Sequence, residues 1–343
     1  MRAFAHPAVA ALARLRARRA LAWAAIGFAS AACDDSCHEE EVSASWVTHT
    51  WGDVAINDLA VAVDEHGTTR VRGVREDGSL AADDDPGRFA AVSVRSGPLE
   101  GLSVDEQERL RAIGPDGVLY ESTLSTSGAW SAGPTLDTAS TVRALAVGDA
   151  DSLWAVGTDG LVARFDGAAW STDSHGTSSL EDVWASASEV WIVGESGAAR
   201  MTDGGAFEDV GPASALYGVF GLPSGERWAV GEHGLWLAWD GAAWRDIPTP
   251  TESTLRAVWG DPDGGSWAAG DDGTLLHLAP HGTKAVVETL PDRAKALHFT
   301  AIAGARTPRG ADVGKGGPSI ALWAVTSEGI ALSREPVVST ICE

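Results

Sequence analysis

From about residue 45 onward the chain is a succession of short apolar segments separated by glycine-bearing turns. Runs of this kind, rich in β-branched and aromatic residues and bounded by Gly, Asp and Pro, predict strands rather than helices. The pattern also repeats. The clearest copy is Leu255-Arg-Ala-Val-Trp-Gly260, then Trp267-Ala-Ala-Gly270, then Gly273. The same order returns from Leu216, Leu180 and Val142, with weaker copies from Ile56 and Leu99 and a last one from Phe299. Starts at 56, 99, 142, 180, 216, 255 and 299 lie 36 to 44 residues apart, the length of one four-stranded propeller blade. The predicted fold class is therefore all-β, a seven-bladed β-propeller.

Two recurring positions explain why the repeat takes this form. Gly78, Gly117, Gly160, Gly197, Gly234, Gly273 and Gly329 follow a pair that usually contains an acid, the signature of a tight hairpin whose turn needs positive φ. Trp154, Trp191, Trp228, Trp267 and Trp323 recur in the second strand, where a large flat ring fills the wedge between blades. The first two units carry Arg72 and Arg111 instead. After Phe299 only three strands' worth of sequence remains, whereas Ser43-Ala-Ser-Trp46 resembles the fourth-strand openings Ala168-Ala-Trp170 and Ala242-Ala-Trp244. An N-terminal strand is therefore expected to close the last blade and remove the open sheet edge. The segment Arg306 to Pro318 reads as an inserted loop, rich in Gly.

Ahead of the repeats, Arg14, Arg16, Arg18 and Arg19 precede an apolar stretch from Ala20 to Ala32 and then Cys33. That stretch is too short to span a bilayer and has the form of an export leader. The expected organisation is a leader over 1–33, a short linker over 34–44 and the propeller over 45–343. Ser30-Ala-Ala-Cys33 resembles a lipobox, which implies lipidation of Cys33; cleavage after Ala31 is the alternative. Cys37 and Cys342 then stand at opposite ends of the mature chain and are expected to pair across the ring closure. The chain carries a net charge of −23, and five of its 25 basic residues sit in the leader. Such a surface repels phosphate backbones and anionic lipid, so no nucleic-acid partner is expected and any membrane contact is expected only through a lipid anchor.

Ile192-Val-Gly-Glu-Ser-Gly197, followed by Thr202-Asp-Gly-Gly-Ala-Phe207, resembles the photosystem II assembly-factor and BNR-type (Asp-box) propellers. The resemblance covers nearly the whole mature chain and implies a scaffold. Asp166-Gly-Ala-Ala-Trp170 and Asp240-Gly-Ala-Ala-Trp244 are shorter than an Asp-box and place Asp beside Gly. A sialidase-type site needs converging Arg residues, a Tyr nucleophile and an acid, and Tyr120 and Tyr217 are the only tyrosines. Tyr217 falls near the expected channel mouth, with Glu181 and Arg256 at equivalent positions. His277 and His281 flank a proline without an apparent third ligand, and Asp261-Pro-Asp-Gly-Gly265 lacks the distal Glu of a calcium loop. No cofactor and no metal are expected.

One distributed feature remains. The pairs before the shared Gly include Glu76, Asp77, Asp116, Asp159, Glu195, Glu232, Asp271, Asp272 and Glu328. Turn preference accounts for the Asp residues but not for the Glu residues. With Glu100, Glu181 and Tyr217 they are expected on one face, suited to a basic or cationic protein or small ligand. The sequence thus predicts a cell-envelope binding or scaffold protein. The alternative is an exported carbohydrate-active hydrolase or lyase on the same scaffold.

Overall fold

The computed structural model describes residues 37–342 apart from 64–67, 84–88, 106, 124–125, 149–151, 262–264 and 307–319; side chains of 37–44, 83, 89, 126–128 and 335–342 are left aside. Seven four-stranded sheets are present, six of them in simple sequence order. These span 56–93, 101–135, 142–174, 180–209, 216–246 and 255–287, hereafter blades 1 to 6. Blade 7 combines Phe299–Arg306, Ile320–Thr326 and Ile330–Cys342 with the N-terminal strand Cys37–Thr50, which pairs with the last of the three. The chain is a seven-bladed β-propeller closed by its N-terminal strand, as the repeat spacing predicts.

The seam is fixed by local bonds. The Trp51 N–H donates to the Gly329 carbonyl at 3.0 Å, and His49 Nε2 meets Ser333 Oγ at 2.8 Å. The closing strand starts at Cys37, upstream of residue 45. The leader, including Cys33, lies outside the described residues, as do the side chains of Cys37 and Cys342. Of the expected loop, 307–319 also lies outside them, but Arg306 is described: its guanidinium binds Asp261 through two bonds of 2.6 and 2.8 Å. Asp261, the first residue of the segment weighed above as a calcium loop, is thereby a buried partner of the last blade.

The hydrophobic core is divided into seven wedges, one between each neighbouring pair of blades. All five second-strand tryptophans are buried in them, Trp191 completely. The shared glycines all have positive φ, from 64° at Gly273 to 110° at Gly197. They are also crowded: a Cβ on Gly78 would stand 2.3 Å from the Gly97 carbonyl oxygen, in the connection to blade 2. Left-handed backbone and close approach thus both require glycine there.

Candidate binding site at the channel mouth

At the head of each first strand an apolar residue is followed by a polar one, Asn57, Glu100, Arg143, Glu181, Tyr217, Arg256 and Thr300; in blade 2 this pair stands just before the strand Gly101–Val104. In six blades, all but blade 2, the register shifts at this polar residue. A bulge adds an unpaired residue and re-aims side chains. Here it brings two successive positions to the same lumen, which strand alternation would have sent to opposite faces. All seven polar residues line one cavity of about 410 Å³ at the axis of the propeller.

The next position down is Gly or Ala in five blades and aspartate in two, Asp58 and Asp182. Each aspartate clasps two blades. Asp58 accepts its neighbour's N–H, from Leu59, at 2.7 Å and that of Leu102 in blade 2 at 2.7 Å. Asp182 does the same with Val183 at 2.8 Å and with Val219 of blade 5 at 2.8 Å. Both are half-buried by area, with carboxylates set into the channel wall among protein atoms. Burial pushes Asp58 up to about 7, against the pull of the Leu102 and Leu59 N–H groups. Asp182 is likewise raised to about 7 by burial, opposed by the N–H bonds from Val219 and Val183 and reinforced by the charges of Asp58 and Glu181. Further clasps run from Asn57 Nδ2 to the Leu99 carbonyl at 2.8 Å and from Thr300 Oγ1 to the Ile56 carbonyl at 2.5 Å.

Above this ring lie the turn acids. Asp271 receives Arg256 through bonds of 2.7 and 2.9 Å, and His298 Nδ1 is 3.3 Å away. Burial opposes ionisation of Asp271, but the Arg256 guanidinium outweighs it and holds the carboxyl below the usual range. The Tyr217 hydroxyl donates to Glu232 at 3.0 Å. Burial, then this bond and the Glu232 charge, raise the tyrosine pKa. Glu100 is raised by burial, relieved by Arg143 and aggravated by Glu76.

Several of the expected face acids are engaged in fixing their own turns. Asp77 accepts the Ser79 N–H at 2.9 Å and its hydroxyl at 2.5 Å. Asp116 binds Arg95 at 2.6 and 2.8 Å. Asp159 accepts the Ser140 hydroxyl and Asp272 the Ser253 hydroxyl, both at 3.2 Å, and Glu328 takes the His298 N–H at 3.3 Å. Glu76 and Glu195 are exposed beside the shared Gly of blades 1 and 4. The structure therefore brings Glu181, Tyr217, Glu232 and Asp271 together at the mouth, with Glu100 across the ring. Asn57, Arg143, Thr300, Asp58 and Asp182 complete the site without having been singled out from sequence. For Asn57, Arg143 and Thr300 the signal was present as one polar position repeated seven times.

No protein-family model matches the chain, and no curated protein sequence matches it. Solved structures share its fold. The WD40 β-propeller domain of Doa1 is 14% identical with a TM-score of 0.68, over 86% of this chain and 97% of that one. A catalytically inactive virginiamycin B lyase from Staphylococcus aureus, solved with quinupristin, is 12% identical with a TM-score of 0.68, over 86% and 100%. YCF48 bound to D1 peptide is 17% identical with a TM-score of 0.62, over 85% and 97%.

Proposed function

We propose that this propeller is a binding protein of the bacterial cell envelope that holds a basic peptide or protein segment at its channel mouth. The observation that carries the reading is the ring at the axis: polar side chains of all seven blades line one cavity, with Glu100 and Glu181 among them beside Arg143 and Arg256, and with Glu232 and Asp271 next to Tyr217 and Arg256. Binding sites are concave, with a few convergent polar groups, and an acidic mouth on an acidic chain draws cationic partners. The peptide-bound state of the structurally similar YCF48 supports a peptide as the class of partner. Tyr-based hydrolysis is the weaker reading, because such a site needs arginines free to hold a substrate carboxylate and Arg256, the arginine beside Tyr217, is bound to Asp271. The envelope placement rests on the leader over 1–33, with lipid on Cys33 and a Cys37–Cys342 bridge as parts of the same proposal; the intact mass of the mature chain reads all three.

The test is charge reversal. Glu100→Arg with Glu181→Arg should abolish capture of the partner from envelope extracts, and raised salt should weaken capture by the native chain. Glu208→Arg, an exposed change on the outer rim, should leave it intact. Undiminished capture by the mouth variant would overturn the reading.

A further inference from the structure

The wedge between blades 3 and 4 uses the same three positions as the wedge between blades 4 and 5, but fills them differently. In the second of these, Trp191 of blade 4 meets two indoles of blade 5, Trp239 and Trp244, edge-on at 5.1 and 5.4 Å. The register identifies the counterparts one wedge earlier. Trp154 pairs with Arg164 as Trp191 pairs with Arg200, and Met201 follows Arg200 as Trp239 follows Ala238. Phe207 takes the place of Trp244, meeting Trp154 edge-on at 6.3 Å.

Methionine and phenylalanine in place of two tryptophans leave room. A cavity of about 480 Å³ remains, walled by Trp154, Val162, Met201 and Phe207 and rimmed by Arg164 and Asp173. This is the size of a small-molecule site. One end is closed by His175, which meets Asp209 at 2.8 Å. Between blades 4 and 5 the equivalent space is filled by indoles.

The rim adds a charge. Arg200 is held between two indoles, its guanidinium carbon 5.5 Å from the Trp191 ring and 5.3 Å from Trp239. Its counterpart Arg164 has an aromatic ring on one side only, Trp154 at 5.7 Å, and is exposed. Among the described residues its guanidinium makes no hydrogen bond. A planar five-donor cation beside an aromatic cavity suits a carboxylate attached close to a ring.

We propose that the wedge between blades 3 and 4 is a ligand site for an aromatic ring bearing a carboxylate. The ring takes the space of the blade 5 indoles and the carboxylate binds Arg164, as in an aromatic amino acid or the C-terminal aromatic residue of a peptide. The site is separate from the channel mouth, so its failure leaves the reading of that mouth untouched.

Ligand-observed NMR and calorimetry on the full chain test it with N-acetyl-tryptophan and its amide, N-acetyl-tryptophanamide. The acid should bind more tightly than the amide by roughly tenfold, the usual scale of a charge-assisted hydrogen bond. Arg164→Gln should erase that difference. Met201→Trp with Phe207→Trp, which restores the set used between blades 4 and 5, should remove binding of both probes while the fold persists; Phe207→Trp alone serves if the pair does not fold. A peptide ending in Trp that outcompetes N-acetyl-tryptophan would place the natural source in peptides, and equal affinity would place it in the free acid. Absence of binding at millimolar probe, or undiminished binding to the filled variant, would overturn the proposal.

Discussion

In the middle of the second strand, blades 3 to 7 bury tryptophan and blades 1 and 2 bury arginine. The five indoles are no more than 9% exposed, and Arg72 and Arg111 are 1% and 2% exposed. An indole in such a wedge needs only contact, and its N–H can be met by one acceptor, as Trp191 Nε1 is by Glu189 at 2.9 Å. A guanidinium of similar flat shape must instead bring its own counter-charges, since its desolvation is expensive. Arg111 does so through Asp105 at 2.9 Å and Glu121 at 3.1 Å, with Arg109 donating to the same Asp105 oxygen, Oδ2, at 2.7 Å. Arg72 Nη1 donates to the Val71 carbonyl at 2.9 Å among its contacts. The wedge thus specifies a flat, large side chain, and the chemistry around it decides which one. The indole wedges rest on burial, whereas the arginine wedge of blade 2 rests on a matched set of polar partners.

The largest effect should come from emptying an indole wedge. Trp191→Ala removes a fully buried ring and should destabilise the protein by about 3–5 kcal/mol, read as a fall in the urea midpoint with little dependence on salt. A change under about 1 kcal/mol would mean that Trp239 and Trp244 collapse into the space, and the contrast between the wedges would lose its basis.

A smaller loss is expected in blade 2. Arg111→Met keeps much of the volume but leaves Asp105, whose side chain is 3% exposed, with Arg109 as its remaining cation. We expect a loss of about 2–3 kcal/mol, below the full effect of breaking a buried pair because Arg109 still holds the carboxylate. Adding Asp105→Asn should recover part of it, since asparagine keeps an acceptor for the Arg109 N–H without stranding a charge. If Arg111→Met is neutral in denaturant titration, arginine serves there only as filler.

The same contrast explains what could be read in the sequence. Trp154, Trp191, Trp228, Trp267 and Trp323 made the later repeats plain, and the turn glycines carried the alignment through blades 1 and 2, where Arg72 and Arg111 break the aromatic pattern. Closure by the strand around Trp46 was legible because the last repeat lacked a strand. The site was legible only in part. Glu181, Tyr217 and Arg256 stood out at one aligned position, but Asp58 and Asp182 did not, because alternation assigns them to the opposite face and only the bulge turns them to the lumen. Nor could the sequence show that Asp116 and Asp271 are already neutralised by Arg95 and Arg256, since each pairing depends on how separate chain segments meet.

The effect that separates the two kinds of buried charge is in pH. Asp58 and Asp182 are raised by burial to about 7 from 3.8 in the open chain. Between those values the native state holds protons that the unfolded chain has released. Their contribution to stability is therefore complete below 3.8 and lost as pH rises through about 7. Asp105 behaves oppositely. Burial disfavours its charge, but the Arg109 N–H and the Arg111 and Arg109 side chains outweigh that and lower its pKa. Its contribution is present above 3.8 and lost as pH falls through its lower native value. Thermal melts should accordingly show stability declining from about pH 4 toward pH 7, by about 1 kcal/mol per pH unit or less for each raised group, with a separate loss on further acidification. Asp58→Asn and Asp182→Asn should each flatten the upper limb and leave the acid limb in place, while Asp105→Asn should do the reverse. An upper limb that keeps its slope in both channel variants would show that the channel carboxylates are ionised at neutral pH, and that the propeller tolerates charge on its axis as readily as in the arginine wedge.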